Sequence, residues 1–198
     1  MNSKINELIS KILHLERQLE VELAKRRAEL NFGLERGRIV FEQEVARRHR
    51  ELRVSLGRYL LKARFSVVIT APVIYAMIIP LALLDLFVAV YQLVCFPVYG
   101  ITKVHRRDYI VFDRHHLSYL NGLEKFNCAY CAYANGLIAY TREIAARTEL
   151  HWCPIKHARR VLGAHATYHE FDDYGDAEAH QKRMKAIGSG DHMSSSAL

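Results

Sequence analysis

An apolar segment in the middle of the chain restricts its fold more than any other feature. Residues 65–102 contain a single Asp, Glu, Lys, Arg or His residue, which is Asp85. A helix that crosses a bilayer needs about 20 apolar residues, so the segment is too long for one straight span and barely long enough for two. The buried helix of a soluble protein does not need such a run. The segment therefore predicts a membrane protein whose first partner is the lipid bilayer.

Basic residues flank the apolar segment on both sides. They precede it at Arg47, Arg48, Arg50, Arg53, Arg58, Lys62 and Arg64, and they follow it at Lys103, Arg106, Arg107 and Arg114. Lysine and arginine mark the cytoplasmic side of a membrane. We therefore expect a short membrane hairpin that turns near Leu83–Asp85, crosses fully or reaches only part-way, and leaves both termini cytoplasmic.

A single span is the alternative for the same segment. It would cover residues 66–84 and be followed by an interfacial helix bearing Tyr91, Phe96 and Tyr99. This arrangement would place the cysteines on the opposite side of the membrane from the N-terminal helix. Asp85 is costly within lipid unless it is paired or hydrated, and in the hairpin it would mark the turn.

Residues 1–64 have the pattern of a long amphipathic, coiled-coil-like helix. Apolar residues alternate at spacings of three and four, as in a heptad seam, at Ile5, Leu8, Ile12, Leu15 and Leu19. The seam shifts register around Gly33 and Gly37 and resumes from Phe41 to Tyr59. Because such a helix cannot bury its apolar stripe against itself, we expect a homo-oligomer formed through residues 5–62. Folding back near Gly33–Gly37 is the alternative.

Residues 103–187 predict a helical module on the cytosolic side, so the expected fold class is all-α. The apolar pattern favours a helix over Leu117–Leu150, with Asn121-Gly122 and Asn135-Gly136 as two points of interruption. Proline suits the first position of a helix, so a further helix is expected from Pro154, capped by Cys153. Another is expected over Ala177–Ile187. Residues 188–198 are mostly small and predict a disordered tail.

Three cysteines and one histidine of this module form a candidate metal site. Cys128 and Cys131 are three positions apart, and Cys153 and His157 are four apart, so on helices each pair shares a face. Three thiolates and one imidazole are the ligand set of a closed tetrahedral zinc site. In the reducing cytosol, clustered cysteines are more often metal ligands or redox groups than disulfides. We therefore predict a structural zinc site formed by Cys128, Cys131, Cys153 and His157.

Other interpretations of these residues stay open. Alanines and tyrosines surround Cys128 and Cys131, which is also typical of a tightly packed helix contact, in which free cysteine is a small buried side chain. A membrane-bound redox enzyme is another interpretation, with Cys153 at a helix cap as the reactive thiol. A di-metal enzyme is a third. It would use the region of His115 and His116, with further ligands from His105, Glu143, Glu149 and His151.

The basic charge of the chain has a membrane explanation. The formal net charge is +7, and the basic blocks lie beside the apolar segment, where they attract anionic lipid head groups. The sequence contains no recognised nucleic-acid-binding motif. We therefore expect no nucleic-acid partner, and a protein partner at the cytosolic module.

Several stretches between Tyr99 and Tyr174 resemble an uncharacterised family of small bacterial membrane proteins. They are Asp113-Arg-His-His116, Asn127-Cys-Ala-Tyr-Cys131, Arg142-Glu-Ile-Ala-Ala-Arg-Thr-Glu149 and Trp152-Cys-Pro-Ile-Lys-His157. The resemblance implies a bacterial source and a membrane location, and it carries no activity with it. We expect this membrane to be the bacterial inner membrane. Together with the residue patterns, the resemblance favours a membrane-anchored, oligomerising scaffold or regulatory protein, and it leaves open whether the chain is an enzyme.

Overall fold

The computed structural model describes residues 3–29, 32–35, 38–41, 43–61 and 64–188. This part of the chain is mostly helical, consistent with the all-α class, and it contains one pair of short strands. The elements are α1 (Ser3–Glu29), β1 (Phe32–Glu35), β2 (Arg38–Phe41), α2 (Gln43–Glu51), α3 (Leu56–Leu61), α4 (Phe65–Ala76), α5 (Ile78–Tyr99), α6 (Gly122–Trp152) and α7 (Ala177–Gly188). The tail prediction concerns residues 188–198, which lie outside the described residues apart from the last residue of α7.

The chain divides into two compact units that do not coincide with the predicted segments. One contains residues 1–64 and 112–129, and the other contains residues 65–111 and 130–198. The apolar segment therefore belongs to the same unit as most of the predicted module. Residues 112–129 instead join the N-terminal part.

The prediction of one long helix, or two nearly continuous ones, over residues 5–62 is wrong. α1 ends at Glu29, and β1 pairs with β2 in antiparallel register, with Phe32 opposite Phe41 and Glu35 opposite Arg38. The alternative was a helix that folds back near Gly33–Gly37, whereas the chain here forms two antiparallel strands. Glycine weakens a helix by about 1 kcal/mol relative to alanine, and the aromatic and β-branched residues here favour strands.

α6 begins at a capping box. The backbone N–H of Glu124 donates to Asn121 Oδ1 at 3.0 Å, and the backbone N–H of Asn121 donates to Glu124 Oε2 at 2.8 Å. These bonds satisfy two donors that would otherwise lack partners near the helix start. The predicted helix over Leu117–Leu150 is thus present as Gly122–Trp152, without an interruption at Asn135-Gly136.

The predicted turn at Leu83–Asp85 is wrong, because these residues lie inside α5. α4 and α5 are separated only by Met77, and Phe65–Tyr99 is the one helix in the described chain that is long and apolar enough to cross a membrane. Pro80 explains the interruption. It has no N–H to donate to the carbonyl four residues earlier, at Ala76, and its ring clashes there. The apolar segment therefore does not form the predicted hairpin.

One stripe of α5 packs against the connection that follows it and against α6. Contacts pair Asp85 with Tyr133 and Tyr99 with Trp152, so α5 and α6 run in the same direction. The buried cluster at this contact consists of Phe96, Val104, Ile110, Leu137, Tyr140 and Ile144. Residues 100–111 thus pack beside both helices and contribute to their shared core.

The helix predicted to begin at Pro154 does not form. A residue before proline is disfavoured in the helical conformation, so α6 ends at Trp152 and the chain continues without a helix to a short turn at Ala166–Glu170. Asp172 then pairs with Ile155 in a parallel bridge, and its carboxylate accepts from Arg183 of α7 at 3.0 Å. The helix predicted over Ala177–Ile187 is confirmed as α7.

Candidate functional site

The most distinctive site in the described residues is a polar stripe on the apolar helix α5. Asp85 is buried in α5, and its carboxylate is 2.7 Å from Nη2 of Arg106. Arg106 Nη1 also donates to Asp85 Oδ1 at 3.0 Å, and the Tyr133 hydroxyl donates to Asp85 Oδ2 at 2.9 Å. The acidic residue of the apolar run therefore has a bidentate arginine and a phenol as partners.

Gln92 continues the polar stripe two turns further along α5. Its side-chain oxygen accepts from the backbone N–H of Val104 at 2.7 Å. Its amide nitrogen donates to the Val104 carbonyl at 3.2 Å and to the Tyr140 hydroxyl at 2.9 Å. Because a buried amide without partners costs free energy, these three bonds determine which part of the connection lies on α5.

The connection after α5 is held from the α6 side as well. Arg147 pairs with Glu143 at 2.8 Å and donates to the carbonyl of Thr102 at 2.8 Å. The two residues are one turn apart on α6, and both side chains are less than one-quarter exposed. The pair links α6 to the start of the connection.

Burial and hydrogen bonding shift the tyrosine pKa values at this site. Burial raises the pKa of Tyr133 above 10.0, and the bond to the Asp85 carboxylate raises it further, while Arg106 opposes the shift. Burial also raises the pKa of Tyr109, with the Glu143 carboxylate as the next cause. Both phenols therefore remain neutral at physiological pH.

The other faces of the apolar helix are uncovered. On α5 the exposed large apolar residues include Ile79, Leu83, Leu86, Phe87, Val90, Leu93, Val94 and Val98, and on α4 they are Phe65, Val67, Val68, Ile69, Val73 and Ile74. No residue of α4 is buried. An uncovered apolar surface of this extent marks a binding surface for lipid or protein.

The structure does not bring the predicted zinc ligands together in one chain. Cys131 lies on α6, and Cys153 directly follows the last residue of that helix. The 22 positions between them correspond to about 33 Å at the rise of an α-helix. Among the described parts of the chain, no three His, Cys, Asp or Glu side chains are grouped to hold a metal ion.

The environments of Cys153 and His157 also differ from the expectation. Cys153 donates its backbone N–H to the Glu149 carbonyl at 2.8 Å, and it therefore lies at the C-terminal end of a helix, not at an N-terminal cap. His157 stacks on Tyr168 with ring centroids 6.4 Å apart. Since neither residue lies in a helix, their spacing of four no longer implies a common face. The zinc site stays a prediction.

The residues proposed for a di-metal enzyme have other partners. His115 and His116 lie on a short 3₁₀ turn with ring centroids 3.8 Å apart. Glu149 is 3.3 Å from His165 Nε2, and His151 packs against Tyr99. The set is therefore spread over several separate contacts.

Sequence reasoning identified Asp85 but missed its partners. The signal for Gln92 was present, since a buried amide seven positions after Asp85 lies on the same face of a helix. Arg106 and Tyr133 lie 21 and 48 positions away, and their pairing depends on tertiary structure. The chain matches no family model, and no curated protein and no solved structure matches it.

Proposed function

We propose that this protein is a scaffold that binds the bacterial inner membrane from its cytoplasmic side and assembles through α1. The observation that carries the proposal is the two-sided character of α5. One stripe is polar and clamped to the connection and α6, whereas the remaining faces are apolar and uncovered. We infer that such a helix places its uncovered apolar faces in lipid, while its polar stripe, which is costly within lipid, stays paired outside the hydrocarbon.

The flanks of the apolar helix support attachment from one side. Residues before and after it belong to one compact unit, in which the rings of His49 and Tyr119 meet edge-to-face at 5.1 Å. If the helix carried the chain across the bilayer, residues 100–111 would have to bring it back. They include Lys103, Arg106 and Arg107 and have no helix long enough to do so, and irregular backbone is not tolerated in lipid.

The embedded part is accordingly α4 together with the outer faces of α5. α4 is mostly apolar, has no buried residue and enters the hydrocarbon, while the polar stripe of α5 keeps the module at the surface. The basic residues on both flanks then face the anionic head groups of the cytoplasmic leaflet. The two termini are cytoplasmic in this arrangement.

α1 supplies the assembly function of the proposed scaffold. Its seam residues Leu8, Ile12, Leu15 and Leu19 are each more than half exposed, although they repeat at heptad spacing. Burying an apolar side chain of this size stabilises by about 1.5–3 kcal/mol. A second copy of α1 is the simplest partner of matching pattern, and the assembly would concentrate several modules at one membrane site.

The experiment compares two double variants of α1 with the same change in charge. Leu15→Glu with Leu19→Glu places carboxylates in the seam, and His14→Glu with Val21→Glu places them on the opposite face. We expect the seam variant to be monomeric by light scattering in detergent, while the control remains oligomeric. Oligomers of equal mass for both variants, or a monomeric wild type, would contradict the assembly function. Release of the wild type from membranes by alkaline carbonate would contradict a deeply embedded helix.

A further inference from the structure

A loop outside the polar stripe exposes apolar residues beside unpaired positive charge. Leu162 is 84% exposed and Val161 is 41% exposed. Arg159 and Arg160 precede them, are exposed, and form no ion pair within the described residues. A leucine exposed to this extent contributes nothing to the core. The fold does not explain why exposed apolar side chains lie next to two exposed arginines in this loop.

The loop tip has a defined conformation. Leu162 and Gly163 form the turn, and Gly163 has φ +68°, which favours glycine. The Arg142 side chain, on α6, donates to the Gly163 carbonyl. The tip is thus tied to a long helix, and its apolar side chains are presented to the surroundings.

We propose that the tip formed by Val161 and Leu162 inserts into the surface of a bilayer that contains anionic lipid, with Arg159 and Arg160 at the head groups. This inference rests on the proposed membrane attachment and adds a second contact, separate from α4 and α5. The charge complementarity favours an anionic bilayer, because each basic residue near such a surface contributes about 1 kcal/mol. An acidic tip, by contrast, would be repelled.

A single tryptophan makes the proposal measurable. Trp152 is the sole tryptophan of the chain, so the Trp152→Phe background allows one probe at a time. The probes are Leu162→Trp at the tip, Val73→Trp on α4, and Tyr174→Trp as a control. Tyr174 is 70% exposed and has Asp172, Asp173 and Asp176 as neighbours in sequence. The full chain is reconstituted in phosphatidylcholine vesicles, with or without phosphatidylglycerol, and the phosphatidylcholine is replaced by its brominated form to quench emission.

We expect the Leu162→Trp probe to emit at shorter wavelength than Tyr174→Trp and to be quenched by brominated lipid when phosphatidylglycerol is present. Adding Arg159→Gln and Arg160→Gln should lower the ratio of inserted to free tip by about fivefold for each arginine removed. Quenching no greater than that of Tyr174→Trp would overturn the proposal. Quenching independent of phosphatidylglycerol would overturn its electrostatic part.

The Val73→Trp probe separates this inference from the proposed function. If brominated lipid quenches Val73→Trp but not Leu162→Trp, the helix is embedded and only the loop inference fails. If Val73→Trp is not quenched, membrane embedding of α4 fails, and the quenching of Leu162→Trp alone then decides the loop inference.

Discussion

Gly136 shows how one missing side chain determines the packing of the second unit, which consists of residues 65–111 and 130–198. A Cβ atom at this position would lie 2.6 Å from the Tyr109 carbonyl oxygen and 2.9 Å from the Ile110 Cα. Both are backbone atoms and cannot move aside cheaply. Gly136 therefore lets the connection after α5 lie directly on α6. In the sequence, the same glycine had indicated a break in the helix, because composition does not reveal a close approach by a distant segment.

Gly136→Ala should destabilise the protein by about 1–3 kcal/mol, as overpacking does in a filled core. The free energy of unfolding is measured by titrating the detergent-solubilised protein with denaturant. Gly122→Ala is the matched control, since it lies on the same helix with no atom within 4 Å of the added Cβ. If the two variants were equally stable, the close approach at Gly136 would be wrong.

Tyr133 makes the stability of the second unit sensitive to alkaline pH. Burial and the bond to Asp85 raise its pKa in the folded state above the unfolded value of 10.0. The stabilisation from the neutral phenol is complete below pH 10.0 and is lost as the pH rises through the folded pKa. The Tm of Tyr133→Phe should accordingly fall less steeply with rising alkaline pH than the Tm of wild type. The exposed Tyr174→Phe should follow wild type, and a Tyr133→Phe curve as steep as wild type would refute the assignment.

At the scale of elements, local patterns predicted α6, α7 and the apolar helix. They were wrong where one residue type is compatible with two different local structures. Pro154 suits a helix start, but it ended α6 by restricting Cys153, and Gly33 marked a reversal between strands rather than a shift between helices. The partners of Asp85 and Gln92 depend on long-range packing. The sequence therefore predicted that Asp85 needs a partner without predicting which residue it is.

Loss of the Arg106 side chain should loosen the contact between α5 and the connection. Arg106→Gln leaves the buried Asp85 with only Tyr133 as partner, and an incompletely paired buried group costs about 1–3 kcal/mol. Arg107→Gln is the control, because this neighbouring side chain is 87% exposed. Limited proteolysis should cleave residues 100–111 faster in the first variant. Equal cleavage rates in the two variants would contradict the role of Arg106 in holding residues 100–111 against α5.

α6 can be tested as one continuous helix with two native cysteines. Cys131 and Cys153 are exposed, so both accept spin labels after Cys95 and Cys128 are changed to serine. Pulsed electron paramagnetic resonance should give a distance distribution centred at about 33 Å between the labelled positions. The length of the labels broadens this distribution. A distance compatible with a shared zinc ion, whose thiolates lie within about 4 Å of each other, would show that α6 is not continuous and would restore the predicted zinc site.

For the whole molecule, we propose a helix embedded from one side in place of a membrane hairpin. The apolar segment alone does not distinguish these arrangements, since both need a long apolar run with basic flanks. The distinction came from the contact between His49 and Tyr119, which keeps residues before and after the segment together. Attachment from one side therefore depends on the tertiary structure of the flanks as much as on the segment.

The most direct test of attachment from one side is the side of the membrane on which each flank lies. A single cysteine is placed before the apolar helix by Ser55→Cys, or retained after it as Cys153, with the other cysteines changed to serine. Bacterial spheroplasts are treated with a membrane-impermeant maleimide before and after permeabilisation. If the protein is attached from one side, both positions are protected until the membrane is opened. Labelling of one position in intact spheroplasts and protection of the other would show that Phe65–Tyr99 crosses the membrane, and would contradict attachment from one side.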